Sequence, residues 1–241
     1  MNQIRRRCTS HVLLPAVLVG LTAQPLAAAP QGRLIDRATF VISRGAAEIG
    51  REEISIHQGR PSDTGGGYVG SGYSVSTTAY YPSHRSYATA ASVVQFDADS
   101  QPSRAWMELE GGGQPNVFVD FTARRITVRT RTSAGESASQ YPRSARLLVV
   151  DDSLLSVFAA LPGKAPGAVT IFYPRTGRRR QADLEDLGTE TTSFDGSERH
   201  LRHWTLGSGD AVRHLWYDSL GRLMKIEMPS TQLTAMRTPR E

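Results

Sequence analysis

The sequence predicts a mainly β protein: a curved antiparallel sheet, a half-barrel, with one short helix packed against it. Three observations predict it. Runs rich in Val, Ile, Thr, Tyr and Phe alternate with glycine-rich turns from residue 39 to residue 228. Several of these runs place apolar residues at every second position, the mark of a sheet with one buried face. One segment alone, residues 151–161, has helical spacing instead. A sheet with this many strands has to curl or close.

The chain opens on Arg5, Arg6 and Arg7, then an apolar run from Val12 to Leu21, then Ala27, Ala28 and Ala29. That order of charge, apolar run and small residues is the pattern of a secretory signal peptide. The run is shorter than the roughly 20 apolar residues that span a bilayer, so no transmembrane anchor is expected in the mature chain. Pro30 disfavours a cut after Ala29, and residues 1–28 are read as the signal peptide. Residues 29–241 then form a single β-rich half-barrel domain with a flexible N-terminus. The expected location is periplasmic or secreted. Cys8, the single cysteine, precedes the apolar run. The processed chain is thus expected to lack disulfides, thiolate metal sites and a cysteine nucleophile.

Residues 39–44 and 48–57 read as a first hairpin around Gly45, with Ile54 and Ile56 on one face and Glu53, Ser55 and His57 on the other. Residues 60–67 read as a loop. Residues 68–81, 87–96, 104–110 and 116–121 are the next strands, the last two flanking Gly111, Gly112 and Gly113. Residues 125–131 alternate as a strand, and 133–139 read as a polar loop. After the apolar strand 147–150, Leu154, Phe158 and Leu161 define the helical stripe. Asp152 or Ser153 is the expected cap, and Pro162 and Gly163 the stop. Strands are expected at 168–173, 178–186, 189–194, 199–206, 211–217 and 222–228, joined by Gly, Ser and Asp turns.

The formal charge of +5 falls to +2 once residues 1–28, with three arginines and no acid, are removed. The densest basic run, Arg178 to Arg180, is followed by Asp183, Glu185 and Asp186. No concentrated basic face interleaved with aromatics is present, so nucleic acid is not an expected partner.

Two segments carry a family resemblance. Phe40 to Gly45 leading to Glu48, Ile49 and Gly50 is one; Leu215 to Leu223, with its Asp218…Gly221 turn, is the other. Together they resemble the opening and closing hairpins of secreted bacterial β-proteins of unknown function, related to the periplasmic lipoprotein-carrier fold. The resemblance implies a half-barrel with a helix against its concave face.

The expected function is a non-catalytic envelope protein that binds a lipid or other apolar or amphipathic ligand in that concavity. The expected lining is Phe40, Ile42, Ile54, Ile56, Leu154, Phe158, Trp216, Met224, Ile226 and Met228. Met224, Ile226 and Met228 alternate onto one face, and methionine suits an adaptable wall. A dry structural core made from the same residues is the competing reading.

A metal site has one pair of candidates. With Leu206 opposite Ala211, His203 falls opposite His214, at the 4.5–5.5 Å Cβ spacing of cross-strand neighbours. The same register sets Trp204 against Arg213 and Leu201 against Trp216. Two histidines fall short of the three protein ligands of a catalytic zinc site, so no metal and no cofactor is assigned. For a hydrolase, Gly70, Ser71, Gly72, Tyr73 and Ser74 do not form a Gly-x-Ser-x-Gly elbow. An extracytoplasmic hydrolase with a loop-built site, and a structural or interaction module pairing through a sheet edge, remain the alternatives.

Overall fold

The computed structural model describes residues 32–61, 68–82, 88–110, 115–151, 153–161, 164–209 and 211–238. The expected signal peptide, most of the 60–67 loop, the glycines at 111–113, Asp152 and the Pro162–Gly163 stop lie outside the described residues.

The N-terminal half runs through β1 (Leu34–Arg44), β2 (Ala47–Pro61), β3 (Tyr68–Tyr80) and β4 (Thr89–Phe96). It continues through β5 (Pro102–Glu110), β6 (Asn116–Phe121), β7 (Arg125–Thr132) and β8 (Gly135–Pro142). The C-terminal half has β9 (Leu147–Val149), β10 (Gly167–Tyr173), β11 (Arg178–Phe194) and β12 (Ser197–Ser208). β13 (Ala211–Tyr217), β14 (Leu223–Met228) and β15 (Leu233–Arg237) complete it. Among the described residues these strands form one curved, open sheet in the order β8-β7-β6-β5-β4-β3-β2-β1-β15-β14-β13-β12-β11-β10-β9. Each half is a meander, apart from the parallel pairing of β9 with β10. The halves join in the middle of the sheet, where β1 pairs with β15.

The mainly β, half-barrel expectation therefore holds, and four local expectations change. Residues 178–186 and 189–194 are one strand, because a bulge between Asp186 and Gly188 carries the ladder across the break. Gly188 takes φ +83°, which suits a residue without a Cβ. The 133–139 loop is largely strand β8, paired with β7. Both faces of β8 are exposed along most of its length, so no apolar alternation marked it. β15 was not foreseen; with Met228 and Leu233 opposite each other, it needs only the short 3-10 turn Pro229–Thr231 to fold back.

The expected helix is a single 3-10 turn, Ser156–Ala160. No side chain caps it; Ser153 instead donates its backbone N–H to Asp151 Oδ1 at 2.8 Å. Its apolar stripe behaves as the spacing implied: Leu154, Phe158 and Leu161 are all buried. They pack on the inner face of the sheet against Phe40, Ile42, Ile54, Leu184, Leu215 and Ile226. A second part of the core, with Val94, Val119, Ile126 and Phe172, continues under β4 to β7.

The edge strands β8 and β9 are consecutive in sequence but sit at opposite ends of the sheet order. Side chains link the β8 end to the far half. Tyr141 on β8 lies 5.5 Å from the Phe172 ring on β10, and Arg179 Nη1 donates to the Pro142 carbonyl at 2.9 Å. The curvature thus brings the far halves of the sheet together without a shared ladder at that seam.

Candidate functional site

The inner face is filled by the chain itself. Residues 150, 151 and 153–161 form a plug, and the sheet holds it from several sides. The Glu52 carboxylate, 1% exposed, accepts the Leu155 N–H at 2.8 and 3.0 Å. Tyr217 donates its hydroxyl to the Phe158 carbonyl at 2.6 Å. Tyr81 donates to the Ser153 carbonyl at 2.9 Å. Arg175 clamps Asp151, with Nε to Oδ2 at 2.7 Å. Burial drives the Tyr217 phenol well above its ordinary value, so it stays a protonated donor. The space left between Phe158, Leu161 and Val149 is about 10 Å³, at the lower limit for one water molecule.

Two larger clefts open at opposite ends of the same strands. The first, about 440 Å³, lies where β1 and β14 begin. Ile35, Ile56, Tyr73, Ala159, Ala160 and Leu223 supply its apolar wall. Asp36, buried and ion-paired with Arg237, and Arg222 also line it. Ile35 is 56% exposed and Leu220, also lining the cleft, 75% exposed. The second cleft lies where β1 and β14 end, and its lining includes Met228.

The ten residues expected to line a binding concavity divide among these places. Phe40, Ile42, Ile54, Leu154, Phe158 and Ile226 are buried together in the inner core. Ile56 reaches the first cleft and Met228 the second. Trp216 and Met224 leave the inner face altogether and pack with Phe194 and Leu201 in a separate cluster on the outer face. Met224 breaks the expected alternation because a bulge sets Trp216 and Tyr217 against Lys225 and Leu223, leaving Met224 as the extra residue.

The histidine pair also moves in register. Ser208 pairs with Ala211, so Thr205 faces His214 and His203 faces Trp216. Relative to the expected hairpin the ladder slips by two residues, which keeps every side chain on its face. His203 and His214 therefore still meet, diagonally, with Nε2 to Nδ1 at 3.0 Å. His203 Nδ1 lies 3.3 Å from the Glu190 carboxylate, and its ring stacks on Trp216 with centroids 4.5 Å apart. Trp216 donates its indole N–H to Glu190 at 2.7 Å, and that bond is the main cause holding the Glu190 carboxyl below its usual range. Burial, then the neighbouring His203, lowers His214 below the ordinary histidine value. Among the described residues no group of three or more His, Cys, Asp or Glu side chains is placed to hold a metal ion. The anticipated pairs of Trp204 with Arg213 and Leu201 with Trp216 are replaced by Trp204 with Leu215 and Leu206 with Arg213.

Sequence reading passed over Glu52, Asp36 and Arg237, all buried and charged. Glu52 had a legible signal, since it shares the phase of Ile54 and Ile56 rather than that of Glu53.

Among the described residues no helix is long and apolar enough to cross a membrane. No protein-family model matches the chain. A search of curated proteins found no match either. Among solved structures, the chain is similar to a β-barrel-like protein of a domain of unknown function, DUF1849, from Brucella abortus. The TM-score is 0.52 at 11% identity, covering 88% of this chain and 98% of that one. At that identity the likeness speaks for the fold alone.

Proposed function

We propose that this chain is an exported, non-catalytic binding protein that takes an apolar or amphipathic ligand at one end of its half-barrel. The ligand sits in the cleft bounded by Ile35, Ile56, Tyr73, Ala159, Leu220 and Leu223, not in the depth of the concavity, which the plug occupies. One observation carries the reading: a cleft of about 440 Å³ with a wall of mixed polar and apolar character, amphipathic as the expected ligand is, and two aliphatic side chains, Ile35 and Leu220, left more than half exposed in it. That volume falls within the range of small-molecule pockets. Exposed aliphatic groups grouped at a concave site favour an apolar occupant, which removes them from water.

Titration with Nile red, a neutral apolar dye, tests the site. Fluorescence enhancement is expected for the parent protein and its loss in Ile35→Asp and Leu220→Asp, two exposed positions whose change leaves the core intact. Native mass spectrometry of protein recovered from its own envelope supplies the second reading. A co-purifying lipid supports the proposal. Protein that is always empty and gives the same dye response as both variants overturns it.

A further inference from the structure

Among the described residues β8 is an edge of the sheet, with β7 on one side and no strand on the other. Its residues 135–140 are all exposed. The ladder decides which backbone groups point to the open side. Arg143, just past β8, donates its N–H to the Arg124 carbonyl at 3.1 Å. Bonded pairs alternate with unbonded ones in an antiparallel ladder. Tyr141, Ser139 and Ser137 therefore bond to β7, through their partners Ile126, Val128 and Thr130. Pro142, Gln140, Ala138 and Glu136 turn their backbone groups the other way. Arg179 confirms the direction, since its Nη1 reaches the Pro142 carbonyl from β11 at 2.9 Å. That bond closes the edge at Pro142. Among the described residues no strand meets the outward N–H and C=O groups of Gln140, Ala138 and Glu136.

Exposed edges are normally blunted by lysine, proline, a bulge or a covering segment. Between Gly135 and Tyr141 the sequence has no lysine, no proline and a single charge, Glu136. The β7–β8 ladder runs through without a register shift. An open row of donors and acceptors of this kind recruits another strand.

The segment also fits a copy of itself. Antiparallel pairing about a two-fold axis at Ala138 sets Ala138 against its own counterpart, Glu136 against Gln140 and Ser137 against Ser139. In that register Glu136, Ala138 and Gln140 all fall in bonded pairs, so each outward N–H meets a C=O of the other copy. No like charges stand opposite each other. Such a contact is self-complementary and closes on itself.

We propose that β8 is a self-association edge: two copies of this chain pair β8 with β8, antiparallel about Ala138, and continue one sheet across the two-fold axis. Two short polar strands bury little surface, which makes the dimer transient rather than obligate. The proposal does not rest on a ligand in the apolar cleft.

Sedimentation equilibrium of the exported protein from about 10 μM to about 1 mM tests it, the range that weak contacts populate. The parent is expected to move from monomer towards dimer. Ala138→Lys and Ala138→Glu each place like charges opposite one another on the axis, at an exposed position. Each is expected to weaken pairing about threefold or more. An equal mixture of the two variants sets opposite charges on the axis and is expected to restore pairing. Ala138→Pro removes the outward N–H from each copy and leaves the β7 ladder intact, and is expected to weaken pairing about tenfold or more. A parent that stays monomeric throughout overturns the proposal and leaves the edge to a strand of a different protein. A dimer insensitive to all three variants overturns it too, as does a mixture of the charged variants that fails to restore pairing.

Discussion

Arg237 and Asp36 are 201 residues apart in the chain and form a buried ion pair: Arg237 Nη2 donates to Oδ1 at 2.6 Å and Nη1 to Oδ2 at 3.0 Å. In the ladder Arg237 sits opposite Phe40, and its side chain runs along β1 to reach Asp36. Nη1 and Nη2 also donate to the carbonyls of Leu223 and Arg37, each at 3.1 Å. One side chain thus ties three strands at the point where the two halves of the sheet meet. Arg237→Met is expected to destabilise the protein by about 3–5 kcal/mol, because it leaves the Asp36 charge buried without its guanidinium. Asp36→Leu/Arg237→Met is expected to recover most of that loss, since no charge is then buried. Urea midpoints at constant m-value measure both. A double variant as unstable as the single one would contradict the desolvation argument.

Glu52 holds the plug by accepting the Leu155 N–H. Glu52→Gln keeps one oxygen in place but removes the charge from this hydrogen bond. A loss of about 1.5–3 kcal/mol is expected, the range for bonds to charged groups. Because the bond is confined to the plug, amide exchange at Leu155 and Phe158 is expected to accelerate more than exchange in β12 and β13. Uniform acceleration across the sheet would place Glu52 in the global fold instead.

Gly177 forms part of the seam. Its φ is +66°, and a Cβ there would lie 2.0 Å from Tyr141 Oη on β8. Gly177→Ala meets both backbone strain, about 1–2 kcal/mol for a left-handed residue, and a collision. Gly45→Ala supplies the comparison, since Gly45 has φ +58° with nothing within 4 Å of the added carbon. Gly177→Ala is expected to lower the melting temperature more than Gly45→Ala. In a Tyr141→Ala background the excess is expected to vanish. An excess that persists there would locate the damage away from the seam.

His214 titrates below the ordinary histidine value because it is partly buried and because His203 stands beside it. The unfolded chain therefore takes up a proton on this residue at a higher pH than the folded chain does. Stability then rises with pH wherever the unfolded state binds more protons. The contribution is present above the unfolded value of about 6.5 and is lost as pH falls from there toward the lower folded value. His214→Gln is expected to shrink the drop in urea midpoint between about pH 8 and about pH 5 relative to the parent chain. Parallel pH profiles for the two proteins would remove this explanation.

Much of the fold was legible in residue order. Ile126 and Val128 are buried in alternation. β10 reads as a β-branched and aromatic run whose last five residues are all buried, Thr170 among them. Leu154, Phe158 and Leu161 carry a spacing that survives even though the segment winds as a 3-10 turn. The site was far less legible. Periodicity states which residues share a face, but not whether that face is open to a ligand or filled by another part of the chain. Met224 shows the limit most plainly: its alternation with Ile226 and Met228 is real in the sequence, and a single bulged residue cancels it.

By itself the sequence determined the strand-rich class, most turns and the inward phase of the inner-face residues, because each depends on neighbours within a few positions along the chain. Only the tertiary structure decided the two-residue slip that makes His203 and His214 diagonal partners, the junction of β1 with β15, and the burial of Glu52 under the plug. These arise where distant segments compete for the same space and the same hydrogen-bond partners. Their outcome is set by packing and desolvation across the whole sheet, which no local window of residues contains.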